Sequence, residues 1–215
     1  MVDFQSRDTR RSVDDGDDDP STADATGADE PEGHDEGHDD SGDDGGHAHD
    51  HDHHEHDRES LGVAIVTISS SRTREDDPAG DAIESALTDA GHEIAVRDVI
   101  RDDHDGVQNT VDAVAGRGDV DTVVTTGGTG ITPDDVTVEA VRPLFDKELP
   151  GFGELFRRRS YDDIGTKVVG TRATAGVVDG VVVFCLPGSE NAARLGAEEI
   201  IVEQAPHLVG LAQRE

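Results

Sequence analysis

The chain has 215 residues, of which 50 are acidic and 18 basic, for a formal net charge of −32. That balance excludes a protein that holds nucleic acid by neutralising its phosphates, because a polyanion would be repelled. Lysine appears only as Lys147 and Lys167, and a lysine-poor acidic surface fits a salt-adapted, haloarchaeal-type cytosolic protein, in which concentrated salt screens like charges.

Residues 1–59 hold 22 acidic side chains against four arginines and almost no large apolar residue after Phe4. Such a segment cannot bury enough surface to offset its ordering entropy, so 1–59 is predicted to be a disordered Asp/His-rich tail. Eight of the chain's eleven histidines lie in it, at His34, His38, His47, His49, His51, His53, His54 and His56. The His/Asp alternation from His47 to Asp57 offers loose, multi-site capture of Ni, Zn, Cu or Co, or else is a solvating acidic tail rich in histidine. Arg10-Arg11 is followed by acidic residues rather than an apolar stretch, so twin-arginine export is not expected. No apolar run reaches bilayer length, and a cytoplasmic location without membrane contact is predicted. The single cysteine, Cys185, permits no internal disulfide and no cysteine-based zinc site.

From residue 60 to residue 215 the pattern is that of one domain of ordinary length. Leu61 to Ser69 is a β-branched apolar run, a buried strand, followed by a polar loop to Pro78. A helix is predicted from about Ala79 to Ala90, ended by Gly91, then a strand from His92 to Val99 and a helix from Gly106 to Ala115. Asp121 to Thr126 reads as a third strand running straight into Gly127-Gly128-Thr129-Gly130. Asp134 and Asp135 are placed at a helix N-terminus. The stretch 167–180 suits a hairpin or an edge strand. Val181 to Leu186 is another buried strand, ending in Pro187-Gly188-Ser189 before a helix over 190–203 and a short final helix over 204–215. Strands alternating with helices, each strand a continuous hydrophobic run, predict an α/β three-layer sandwich with a mostly parallel sheet and helices on both faces.

In such a sheet a ligand sits outside the carboxyl ends of the strands, where the loops 127–130 and 187–189 fall. Glycines let successive N–H groups converge on an anion, and a carboxylate, Asp134 or Asp135, is suited to hold Mg²⁺ against a bound phosphate. The alternative for the glycines is a plain tight turn, and for Asp134 and Asp135 a helix cap. No G-x-x-x-x-G-K-[ST] segment is present, which excludes a P-loop. Arg72, Arg74 and Arg157 to Arg159 are candidate phosphate clamps, with a solvated or subunit-contacting face as the alternative for the last three.

The run Thr125 to Thr137, together with Leu144 to Arg157, Ile164-Gly165-Thr166, Ser71-Arg72, Glu75 to Gly80 and Leu186 to Ser189, resembles the MoaB/MogA family of molybdenum-cofactor biosynthesis, with spacing nearer MoaB. The resemblance covers essentially all of 60–215 and none of the tail. It implies the molybdopterin-binding fold, a homotrimer or hexamer, and transfer of AMP from ATP to molybdopterin with Mg²⁺, releasing pyrophosphate. A separate metal-insertion enzyme would take the product. Carried over residue by residue, Gly127, Gly128, Thr129, Gly130, Pro187, Gly188 and Ser189 would meet the nucleotide phosphates. Asp135 and Asp102 would be the two essential aspartates, with Asp103 the neighbouring register for the second. Asp77, Gly151, Phe152, Gly153 and Glu154 would belong to the pocket wall. Competing readings are a molybdopterin-binding module without turnover, a relative of the competence-damage-like hydrolase domains, and a metal-storage or metallochaperone protein acting through the tail.

Overall fold

The computed structural model describes residues 58–214; the tail histidines and the tail's predicted disorder lie outside the described residues. Six strands among those residues form one sheet in the order β2-β1-β3-β6-β5-β4. They are β1 (Gly62–Ile68), β2 (Glu93–Ile100), β3 (Thr122–Thr126), β4 (Lys147–Glu148), β5 (Thr174–Val178) and β6 (Val181–Leu186). The four strands β2-β1-β3-β6 run parallel, and β5 and β4 complete the sheet antiparallel. The stretch 167–180, expected to be a hairpin or an edge strand, supplies the end of a 3₁₀ turn over Gly165–Gly170 and then β5, which forms a hairpin with β6 by turning through Asp179 and Gly180. Both have positive φ, +47° and +83°, the backbone of a two-residue type I′ turn.

Alternation along the strands sends successive side chains to opposite faces, and both faces are buried. Val63, Ile65, Val124, Val182 and Phe184 face one layer, made by α1 (Pro78–Asp89), α4 (Pro150–Ile164), α5 (Glu190–Gly196) and α6 (Val202–Ala212). Ala64, Val66, Ile68, Val123, Val183 and Cys185 face the other, under α2 (His104–Ala115) and α3 (Thr137–Val141). The three-layer sandwich with a mostly parallel sheet is thus present as expected.

Three local readings need correction. The helix after Asp134 and Asp135 starts only at Thr137, capped by Val136 without a side-chain hydrogen bond, so neither aspartate caps it. Pro150–Ile164 is a 15-residue helix that the strand-and-loop pattern had not revealed. The expected pair of helices over 190–203 and 204–215 is one continuous helical rod, in which a π-turn at Ala197–Ile201 links α5 to α6 and Pro206 lies inside the second half. No helix among the described residues is long and apolar enough to cross a membrane.

Candidate functional site

The carboxyl ends of β1, β3 and β6 open onto a cavity of about 570 Å³. Its floor is the glycine loop that leaves β3. Gly127 and Gly128 have φ of +105° and +64°, a backbone that side-chain-bearing residues rarely adopt. The loop is held from three sides. Gly127 N–H donates to the carbonyl of Leu186 at 3.0 Å, and the Thr126 hydroxyl donates to the carbonyl of Pro187 at 2.9 Å. Thr137 donates its hydroxyl to the Gly127 carbonyl at 2.8 Å and its N–H to the Gly128 carbonyl at 3.0 Å. Arg172 reaches the Thr129 carbonyl with Nε at 3.4 Å and the Asp135 carbonyl with Nη2 at 3.1 Å.

Since N–H and C=O point oppositely across a trans peptide, tethering the Gly127 and Gly128 carbonyls turns the N–H groups of Gly128 and Thr129 the other way. Neither N–H has a hydrogen-bond partner among the described residues. Two adjacent unpaired N–H groups in a glycine turn make an anion-binding concavity. Arg72 and Lys167 add the cationic side chains of the lining, and Ser69, Ser71 and Thr171 add hydroxyls.

Asp135 supplies the carboxylate of this cavity lining. Its Oδ2 accepts from the Thr132 N–H at 2.8 Å and the Thr132 hydroxyl at 2.7 Å, so it braces the 130–135 turn as well as facing the cavity. Burial raises its pKa, but the hydrogen bonds from Thr132 and the Gly130 N–H, with the charge of Arg172, outweigh that and hold it below the ordinary carboxylate value. It is ionised at neutral pH. One carboxylate beside a phosphate cradle suits Mg²⁺, which usually shares few protein oxygens with substrate phosphates. A caged structural metal is a different matter: no group of three or more His, Cys, Asp or Glu side chains among the described residues is arranged to hold one.

The structure thus brings Gly127 to Gly130, Asp135, Pro187 and Gly188 to one cavity. Ser189 lies just beyond, capping α5 through the Ala192 N–H and lining an adjacent cavity of about 510 Å³ with Pro187, Thr171 and Asn191. Asp102 sits after the end of β2, outside this lining, whereas Asp103 is committed as the cap of α2 through the Gly106 N–H at 2.8 Å.

The residues expected at the pocket wall fall in different places, none of them in the lining of the glycine-loop cavity. Gly153 and Glu154 line a separate charged cavity with Arg157 and Arg172. Gly151 and Phe152 border an apolar hollow against α6, and Phe152 is core, its ring 5.1 Å from that of Phe184. The cause is α4, whose inward stripe commits Phe152 to the core, while Phe156 lines the cavity beside Pro187 and Ser189. Asp77 does not reach the cavity surface either; it is 1% exposed, behind Thr67 and Arg72.

Arg74 donates to the Arg97 backbone carbonyl, and Arg159 pairs with Glu199. Lys167, Arg172 and Thr137 belong to the site although the sequence reading gave them no role there. Lys167, one of two lysines in an acidic chain, carried a usable signal. Arg172, which reaches the loop from the segment just before β5, carried none.

Residues 64–207 match the family described as "Probable molybdopterin binding domain". The molybdenum cofactor biosynthesis protein B of Bacillus subtilis is 44% identical over 146 residues, covering 67% of this chain and 86% of that protein. Its Escherichia coli K12 counterpart is 39% identical over 142 residues, 66% and 84% of the two chains. Among solved structures, the tungsten cofactor synthesizing protein MoaB from Pyrococcus furiosus superposes with a TM-score of 0.65 at 38% identity, over 73% of this chain and 99% of that one. A structure of MogA gives 0.63 at 27% identity, over 70% and 99%.

Proposed function

The chain belongs to the MoaB/MogA family of molybdopterin-binding proteins, whose relatives are named for molybdenum or tungsten cofactor biosynthesis, and from that premise we propose that it transfers AMP from ATP to molybdopterin. A phosphate oxygen of molybdopterin attacks the α-phosphorus of ATP. The bond from that phosphorus to the bridging oxygen breaks, and pyrophosphate leaves with the electron pair. This chemistry needs orientation and charge stabilisation rather than a covalent protein nucleophile.

The observation that carries the reading is the conjunction in one cavity of two unpaired N–H groups, at Gly128 and Thr129, with Arg72, Lys167 and Asp135. The N–H groups are pre-set to hold a phosphate oxygen without reorganisation. Arg72 and Lys167 offset the charge of the triphosphate. Asp135 is the carboxylate that would hold Mg²⁺, which when bound neutralises phosphate charge; Asp102, at the neighbouring strand end, orients the pterin substrate. The adjacent cavity beside Ser189 has the size for a heterocyclic base. In keeping with the resemblance, the protein acts as a homotrimer or hexamer in the cytoplasm and hands its product to a metal-insertion enzyme.

Incubation with molybdopterin, Mg²⁺ and ATP labelled at the α-phosphate tests the proposal. Label recovered on the pterin supports it. Molybdopterin binding with the label left in ATP makes the protein a binding module without turnover.

A further inference from the structure

The Arg97 side chain is 3% exposed, and it lies near the site without lining its cavity. It rises from β2 to the first turn of α1. There Nη1 donates to Asp77 Oδ2 at 2.6 Å and to the Thr67 hydroxyl at 3.2 Å. Nη2 donates to Asp81 at 3.1 Å and Nε to Glu84 at 3.2 Å. Asp77 is fully buried and sits between this guanidinium and the cavity. Its Oδ2 also accepts from the Thr67 hydroxyl at 2.6 Å, while Oδ1 caps α1 through the Gly80 N–H at 3.1 Å. The same Oδ1 is 3.4 Å from Nη1 of Arg72, and Arg72 and Thr67 line the phosphate cavity.

Two arginines therefore share one buried carboxylate. Arg97 holds it closely. Arg72 touches it at a long distance and keeps 28% of its side chain exposed toward the cavity. A buried carboxylate deprived of its main counter-charge draws in the next available one, because an uncompensated charge in the interior is costly.

We propose that Arg97 is a positioning residue: by satisfying Asp77 it leaves Arg72 free to meet the phosphate groups of the ligand. The inference rests on the phosphate-binding reading of the cavity. Loss of Arg97 turns Arg72 inward onto Asp77, and the cavity loses one of its two cations without any change in the glycine loop. Asp81 and Glu84, both partly exposed, turn to water instead.

Calorimetric titration of the full-length protein with inorganic pyrophosphate, at fixed salt, tests this without relying on turnover. Arg97→Met weakens pyrophosphate at least tenfold, as does Arg72→Ala, and in the Arg72→Ala background Arg97→Met adds less than twofold. The double variant Arg97→Met/Asp77→Asn restores affinity to within threefold of wild type, since asparagine still caps α1 but no longer draws in Arg72. A purely structural role for Arg97 shows itself in the Arg72→Ala background, where Arg97→Met then weakens pyrophosphate as much as it does in wild type.

Unchanged affinity in Arg97→Met, or no recovery in the double variant, overturns the inference while leaving the cavity's reading intact. No pyrophosphate binding by wild type sinks both. Should Arg97→Met fail to fold, Arg97→Lys decides. Its ammonium still satisfies Asp77, so affinity stays within threefold, and a tenfold loss in folded protein contradicts the proposal.

Discussion

Replacing Gly127 by alanine sets a methyl group 2.1 Å from the carbonyl oxygen of Ile68, where contacts under 3.0 Å do not occur. The obstacle is main chain at the end of β1, so it cannot be cleared by a side-chain rotation. Alanine at φ of +105° is strained in addition. Such a backbone strain costs about 1–3 kcal/mol. In a domain of this size each kcal/mol lowers Tm by about 2–4 °C, so a fall of about 4–8 °C is expected for a loss near 2 kcal/mol. That is a modest part of a stability of about 5–15 kcal/mol, and the variant folds.

Activity is hit harder. The loop must retreat from β1 by roughly 1 Å, and a displacement of that size in a positioning element costs about 10²-fold in rate. Calorimetric melting and initial rates of pyrophosphate release, on the same preparation, give both numbers. A Gly127→Ala protein with wild-type Tm and turnover within threefold of wild type would show that the loop does not work through its backbone geometry.

Asp135→Asn is expected to lower turnover at least tenfold, about 1.4 kcal/mol or more in the transition state, with the protein still folded, because the amide cannot supply the negative charge. Asp102→Asn is expected to act likewise on turnover, whereas Asp103→Ala costs about 1 kcal/mol of stability through the α2 cap and spares activity; the reverse pattern moves the role to Asp103. His92 is 5% exposed, neither ring nitrogen has a hydrogen-bond partner among the described residues, and burial lowers its pKa below 6.5. Below that value the unfolded chain binds a proton that the folded one refuses, so stability falls with pH from about 6.5 downward, and His92→Leu flattens the slope measured by denaturant titration. Deleting residues 1–57 retains Arg58 with its Asp121 ion pair, and is expected to leave turnover unchanged while removing most Ni²⁺ or Zn²⁺ binding at neutral pH. Metal binding that survives the deletion would take the tail histidines out of that role.

The parallel strands β1, β3 and β6 were legible because both sheet faces are covered, which forces unbroken apolar runs such as Val181 to Leu186. Helix α4 was not. Its buried positions Phe152, Phe156 and Ser160 form one narrow stripe, and Arg157-Arg158-Arg159 hides it. Pro150 at its first turn was the available signal. The break expected before α6 failed because a π-turn lets the rod continue, and a π-turn leaves no mark in hydrophobic periodicity.

In the site, the glycine loop and the 187–188 turn announce themselves, since positive φ and close approach demand glycine. Arg97 and Arg172 do not. Their importance comes from partners 20 and 37 residues away, Asp77 and the Asp135 carbonyl, and such pairings exist only once the sheet has brought the segments together.

The most direct test of the central claim is the stoichiometry of pyrophosphate released by the purified protein with ATP, Mg²⁺ and limiting molybdopterin in molar salt. The account predicts one pyrophosphate per molybdopterin, none when molybdopterin is withheld, and loss of the signal in Asp135→Asn. Pyrophosphate formed without molybdopterin, or no pyrophosphate from protein shown to bind both ligands, would contradict it.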